Sequence, residues 1–209
     1  MRRLLAAVVL LLMTASALAE SRIQAFNRLR YQQDWQAALK VIREELADPE
    51  HKADAWSAMV RTMMLLAMTG VARQHGWNET FDAEARRMYA EALLFADTDE
   101  FTKAHVNQAM SNYYFFTQRS GLAVKTAKEG LEYFKKVKNP FQVLLHYESL
   151  AVAYHDRGER QLSNYYRARG LAEVRSYFKV GINPTDNNQW AEYYNILINA
   201  MSQAADEPG

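Results

Sequence analysis

Apolar residues recur at three-and-four spacing along almost the whole chain, the pattern of helices that bury one stripe each. It is clearest from Tyr147 to Leu171. Tyr147, Leu150, Ala151 and Tyr154 fall on one face, and Gly158 supplies the freedom for a tight reversal. On the returning helix, small Ser163 and Gly170 permit close approach before Leu171 closes the seam.

The same pattern predicts three earlier pairs. Arg22 to Gln32 is a short helix with Phe26 and Leu29 inward; Asp34 and Trp35 begin its partner, with Ala38, Ile42 and Leu46 as the seam. Asp48-Pro49 ends it, because the residue before a proline is pushed out of helical geometry. The second pair begins near Lys52, carries the stripe Trp56, Met59, Val60 and Met63, and runs on to about His75. A loop at Gly76 to Asn78 follows, then a helix capped by Thr80 or Asp82, with Ala85, Tyr89, Ala92 and Leu93 inside. Thr98 opens the third pair, with Asp99 and Glu100 suited to the helix dipole. Ser111 and Tyr114 point inward, Ser120-Gly121 makes the turn, and Ala123, Ala127, Gly130 and Leu131 line the return. Lys135, Lys136 and Lys138 suit its C-terminal dipole. Asn139 then caps, with Pro140 at the first helical position of the fourth pair. Gly181-Ile182-Asn183-Pro184 is a break, after which Thr185 or Asp186 caps a closing helix containing Trp190, Tyr193, Tyr194, Leu197 and Ile198.

The first nineteen residues stand apart. Arg2 and Arg3, the apolar run Leu4 to Met13 and the small-x-small site Ala17-Leu18-Ala19 are the parts of a secretory signal peptide. The run is about half of the roughly 20 residues that a membrane-spanning helix needs, which favours cleavage over a retained anchor. The expected organisation is a signal peptide at 1–19, one helical domain at 20–205 and a frayed tail at 206–209. The full chain carries a net charge of +1; loss of Arg2 and Arg3 brings the mature chain to about −1, so nothing suggests a nucleic-acid partner. An apolar fraction of 49% excludes a disordered chain. The chain has no cysteine, so disulfides and thiol chemistry are excluded and packing alone must stabilise it.

Catalytic patterns do not emerge. The five histidines, His51, His75, His105, His146 and His155, show no His-Glu-x-x-His spacing for zinc. No Glu-x-x-His pair suits a di-iron bundle, and neither a nucleophile elbow nor a phosphate-binding glycine loop occurs. His155-Asp156 is the one adjacent pair of interest, but neighbours on a helix do not face each other. Tyr113 to Phe116, Tyr165-Tyr166 and Tyr193-Tyr194 could stack a ligand, although at most half of each cluster can face one surface. Met59, Met63, Met64 and Met68 read as core filling. The arginines from Arg157 to Arg175 read as a solvated outer face, and Asn78-Glu79-Thr80 formally fits a glycosylation acceptor. No enzyme activity, metal or cofactor is expected.

Large residue, leucine, small residue, aromatic, turn glycine, then small residues on the return: the stretch from Tyr147 to Leu171 resembles a tetratricopeptide repeat. YQQDWQAALKVIREEL is similar to the turn and second helix of such a repeat, with Gln33 where the glycine usually sits. Tyr89, Ala127 and Arg167 follow one another at intervals of 38 and 40 residues. The usual period is about 34, so each repeat carries about one extra helical turn.

The resemblance implies an all-α, right-handed solenoid of about four antiparallel helix pairs with a C-terminal capping helix. It further implies a non-catalytic scaffold whose first helices line a concave groove for a protein or peptide. The groove positions that it carries over are Asn27, Arg30, Tyr31, Arg61, His105, Gln108, Asn112, Phe115, Phe116, Glu148, Val152, His155 and Asp156. Asn27 and Asn112 fall where family members often hold the peptide backbone, whereas Leu145 stands where a carboxylate-clamping lysine belongs. With the signal peptide, this gives a periplasmic adaptor in envelope assembly, secretion or signalling, peripheral to the membrane at most. A sensor that binds a small molecule between its helices is the alternative, and an enzyme of unknown type stands behind both.

Overall fold

The computed structural model describes residues 20–48, 55–179 and Asn199, and every regular element among them is a helix. The expected signal peptide, the expected start of the second pair near Lys52, the expected break at Gly181 and the residues expected to form the closing helix and tail, Asn199 apart, lie outside the described residues.

Eight helices follow in order: α1 Arg22–Tyr31, α2 Trp35–Leu46, α3 Ala55–His75, α4 Glu79–Ala96, α5 Glu100–Phe116, α6 Ser120–Lys136, α7 Pro140–Asp156 and α8 Arg160–Lys179. Each packs on the next in sequence, and α3 also lies on α5. The packing is hairpin-like and compatible with a helical repeat. The 40-residue interval has a simple origin in the later pairs. Helices α5, α6 and α7 each have 17 residues and are joined by three-residue turns.

Those turns share one construction. Gln33, Gln118, Lys138 and Gly158, each the middle residue of its turn, have φ between 52° and 76°. The N–H of the following residue reaches back five positions: Asp34 to Leu29, Arg119 to Tyr114, Asn139 to Phe134 and Glu159 to Tyr154. With the shorter bond from the left-handed residue itself, this is the Schellman ending, which satisfies the last carbonyls of a helix. Only one of the four positions is glycine. The third reversal was expected at Ser120-Gly121; it lies at Thr117 to Arg119, with the strained position filled by Gln118, and Ser120-Gly121 starts α6. A left-handed non-glycine residue costs roughly 1 kcal/mol. Gln118→Gly is therefore expected to stabilise by about 0.5–1 kcal/mol, read as a higher urea midpoint with an unchanged slope.

Among the described residues, five helix starts carry a side-chain cap, whereas α6 starts after Arg119 without one. Ser21 and Gln24 form a reciprocal capping box before α1. Asp34 caps α2 and Asn139 caps α7 with Pro140 behind it. Asn78, not Thr80 or Asp82, caps α4, accepting from the Phe81 N–H at 2.8 Å. Asp99, not Thr98, caps α5.

The core is continuous along the stack. Phe26, Ala38, Ile42, Met64, Leu65, Met68, Met88, Met110 and Tyr113 bury together across α1 to α5. Ala104, Phe134, Leu144, Tyr147, Leu150, Tyr154 and Leu171 bury together across α5 to α8. Phe115 packs against both groups. Small residues set the closest approaches. Gly130 of α6 lies where a Cβ would come within 2.8 Å of His146 Nε2, and Ser111 ties α5 to α6 by donating to the Ala123 carbonyl at 2.9 Å.

His146 is buried in α7 with its ring 4.7 Å from that of Phe134. Nδ1 lies 3.0 Å from the Gln142 carbonyl, so it carries the proton, while Nε2 finds no partner among the described residues. Burial pulls its pKa down to about 4. The ring is thus neutral in the fold, and an unfolded chain binds the proton first as pH falls. The stability it confers is complete above about pH 6.5 and is lost progressively towards pH 4. Between pH 7 and 4.5 this group contributes a loss of about 2–3 kcal/mol. His105, also lowered by desolvation, has the same sign. Urea unfolding of wild type and His146→Phe at the two pH values isolates the effect; the variant should lose markedly less stability on acidification.

Candidate functional site

Two hollows lie side by side along the first helices of the pairs. One, of about 240 Å³, is lined by Ser111, Asn112, Phe115 and Phe116 of α5, Ala123 of α6, and Leu145, Glu148, Ser149, Val152 and Ala153 of α7. The other, of about 560 Å³, is lined by Arg30, Tyr31, Gln33 and Trp35 around the first turn, Leu66, Thr69, Gly70 and Arg73 of α3, and Asn112 and Phe116 of α5. Asn112 and Phe116 border both, which makes one strip across α1, α3, α5 and α7.

Local structure explains how the strip opens. Phe116 is the last residue of α5, and its ring stays 39% exposed, stacked edge-on against Phe115 at 5.2 Å. Tyr31 ends α1 in the same way and is 90% exposed. Gly70 lets the Trp35 indole lie directly on α3: a Cβ there would fall 2.0 Å from Trp35 Cδ2. Arg73, one turn further along α3, lays its guanidinium over the Phe116 ring at 5.4 Å.

Several polar groups on the strip are already committed. Thr69 and Ser149 donate to the carbonyls one turn back, Leu65 and Leu145, and Ser111 is held by Ala123. Glu148 accepts from Arg167 of α8 at 3.3 and 3.4 Å. Asn112, Arg30 and Arg73 have no hydrogen-bond or ion-pair partner among the described residues. An amide with both donors and acceptor free, set beside exposed aromatic rings, suits a ligand that brings its own amides.

Of the thirteen groove positions carried over from sequence, the strip brings together Arg30, Tyr31, Asn112, Phe115, Phe116, Glu148 and Val152. Asn27 is exposed on α1 but lines neither hollow. Arg61 is turned to α4, where it pairs with Glu91 at 2.8 Å and packs on Phe95, and it also bonds Ser57 one turn back on α3. At 3.6 residues per turn, Arg61 lies about 120° round α3 from Arg73, which explains the different outlook. His105 is wedged between Phe101 and Phe134 at 4.5 and 5.0 Å, and Gln108, one turn on along α5, lines neither hollow. His155 and Asp156 are exposed at the end of α7, with Nδ1 and Oδ1 3.8 Å apart, and line neither hollow.

Sequence reasoning missed Trp35, Gly70 and Arg73. A helical glycine followed at i+3 by an arginine was the available signal, but α3 departs most from the repeat pattern. It also missed the ion pair of Asp82 and Arg119. Arg119 approaches Asp82 Oδ1 to 2.5 Å without aligning an N–H on it, and lies over the rings of Trp77, Tyr114 and Tyr113 at 4.6, 5.0 and 5.4 Å. Burial, with the Asp82 charge behind it, pushes the Tyr113 hydroxyl up to about 12. The cluster joins α4 to the turn between α5 and α6.

No group of three or more His, Asp or Glu suited to a metal occurs among the described residues, and none of their helices is long and apolar enough to cross a membrane. The chain matches no protein-family model, and no curated protein emerges as a relative.

Proposed function

We propose that the protein is an exported, tetratricopeptide-like scaffold, its helix pairs stacked as a right-handed solenoid and closed by a C-terminal capping helix. It holds a protein or peptide along the concave strip of α1, α3, α5 and α7. The observation that carries this reading is Asn112, an amide unpaired among the described residues, shared by both hollows and set beside Phe115 and Phe116. With the signal peptide, the setting is the periplasm, and the role is recruitment in envelope assembly, secretion or signalling without catalysis.

Continuity, more than size, argues for a polypeptide over a small molecule: the larger hollow, about 560 Å³, has the volume of a small-molecule site, but the two share Asn112 and Phe116 and run on as one strip. Sites for drug-sized ligands run from about 300 to 1,000 Å³ and enclose most of the ligand. The more apolar hollow holds about 240 Å³, enough for one or two side chains, and continues into its neighbour. A chain laid across both would anchor an apolar side chain in the first and continue over the second.

Affinity capture from envelope extract, with Asn112→Ala and Phe116→Ala as controls, tests the proposal. Both variants should lose captured partner about tenfold or more, while thermal unfolding moves by no more than about 1–2 °C, as for a loss near 0.5 kcal/mol. Large destabilisation in both with capture intact would show the two residues to be structural. A small metabolite retained through native purification and seen by mass spectrometry would favour the sensor reading.

A further inference from the structure

The charge of the strip is unbalanced. Its lining carries one acid, Glu148, already neutralised by Arg167, and two cations, Arg30 and Arg73, without a carboxylate among the described residues. Both arginines sit in the last turns of their helices, α1 and α3. The negative ends of the helix dipoles let them stand there without an acidic partner. Two like charges converging on a hollow walled by Tyr31, Trp35 and Phe116 concentrate a positive potential there. The adjoining hollow is apolar where Phe115, Leu145 and Val152 line it. Phe116 joins the two environments, since its ring borders the apolar hollow and carries the Arg73 guanidinium.

We propose, on the groove reading above, that the ligand is a polypeptide segment in which an acidic side chain lies within a few residues of a large apolar one. The apolar side chain enters the hollow between α5 and α7, the carboxylate is met by Arg30 and Arg73, and Asn112 holds the backbone between them. Guanidinium groups suit a carboxylate because they offer paired N–H donors in one plane. Both arginines are exposed, so the contact steers and selects more than it adds affinity.

The test is selection from a random 12-residue peptide library displayed on phage through its C-terminal end, so that no probe carries a free terminal carboxylate. Wild type, Arg30→Glu/Arg73→Glu and Asn112→Ala/Phe116→Ala are compared, with circular dichroism to confirm each fold and Arg30→Gln/Arg73→Gln as substitute if charge reversal unfolds the chain. Wild type should enrich peptides with Asp or Glu near Leu, Phe or Trp. By fluorescence anisotropy, the consensus peptide should bind the arginine variant at least tenfold more weakly and lose affinity with added salt. Enrichment without acidic bias, abolished by Asn112→Ala/Phe116→Ala but indifferent to the arginines, overturns the acidic assignment and leaves the groove standing. Acidic peptides that bind the arginine variant unchanged overturn it as well, since the acid is then read elsewhere. No enrichment on wild type overturns both the assignment and the groove.

Discussion

Asp82→Ala is expected to destabilise the protein by about 3 kcal/mol. Asp82 is 5% exposed, and its removal leaves the Arg119 guanidinium half enclosed by three aromatic rings with no anion beside it. A broken buried pair costs about 3–5 kcal/mol, and the lower figure applies because the Arg119 side chain keeps 22% of its surface in water. Arg119 cannot withdraw easily: it also donates to Thr117 Oγ1 at 2.9 and 3.1 Å, in the turn that starts α6. Replacing both partners by apolar residues removes the stranded charge, so Asp82→Leu/Arg119→Met should recover most of the loss. Urea unfolding of the single and double variants decides the matter. Equal losses in both would show that packing, not charge, holds this corner.

Gly70→Ala is expected to cost about 2–3 kcal/mol, against the ordinary gain of up to about 1 kcal/mol for that change inside a helix. The sign is therefore diagnostic. A Cβ at position 70 would meet three atoms of the Trp35 ring, at 2.0, 2.4 and 2.5 Å, so the indole must leave α3. Trp35 and Gly70 both line the larger hollow, so the same change should alter ligand affinity. Combining it with Trp35→Ala removes the clash, and the double variant should be less sensitive to the alanine than wild type. A stabilised Gly70→Ala would mean that the indole is not seated on the helix.

Much of the fold was legible because the buried stripe of a helix repeats locally. Tyr147, Leu150, Ala151 and Tyr154 share a buried face, as their spacing required, and Phe26, Ala38 and Ile42 do the same in the first pair. Turn positions were harder. Glycine was the guide, and it led to Ser120-Gly121, whereas the chain tolerates Gln118 in the left-handed conformation because the Schellman hydrogen bonds outweigh the strain. Asp82 read as a helix cap; it pairs locally with Arg86 at 3.1 Å, but its other partner, Arg119, lies 37 residues onward, beyond any local pattern. On the candidate site, the spacing that gathered Asn112, Phe115 and Phe116 holds near the end of α5. Two turns earlier the same face is filled, with His105 packed against Phe134. Arg61 and Arg73 show the remaining difficulty. Both are arginines on α3, and about three turns of helix with a net rotation of about 120° separate a strut to Glu91 from a group facing the hollow.

The most direct test of the central claim, that a polypeptide docks on the strip shared by the first helices, is site-specific photocrosslinking in intact cells. A benzophenone amino acid replaces Phe116 at the junction of the two hollows or, as control, Leu94 of α4, which is 76% exposed and lines neither. Irradiation should give a discrete crosslinked polypeptide from position 116, absent from position 94 and competed away by the consensus peptide. Crosslinks from position 94 alone, or equal and uncompeted yields from both, would contradict it.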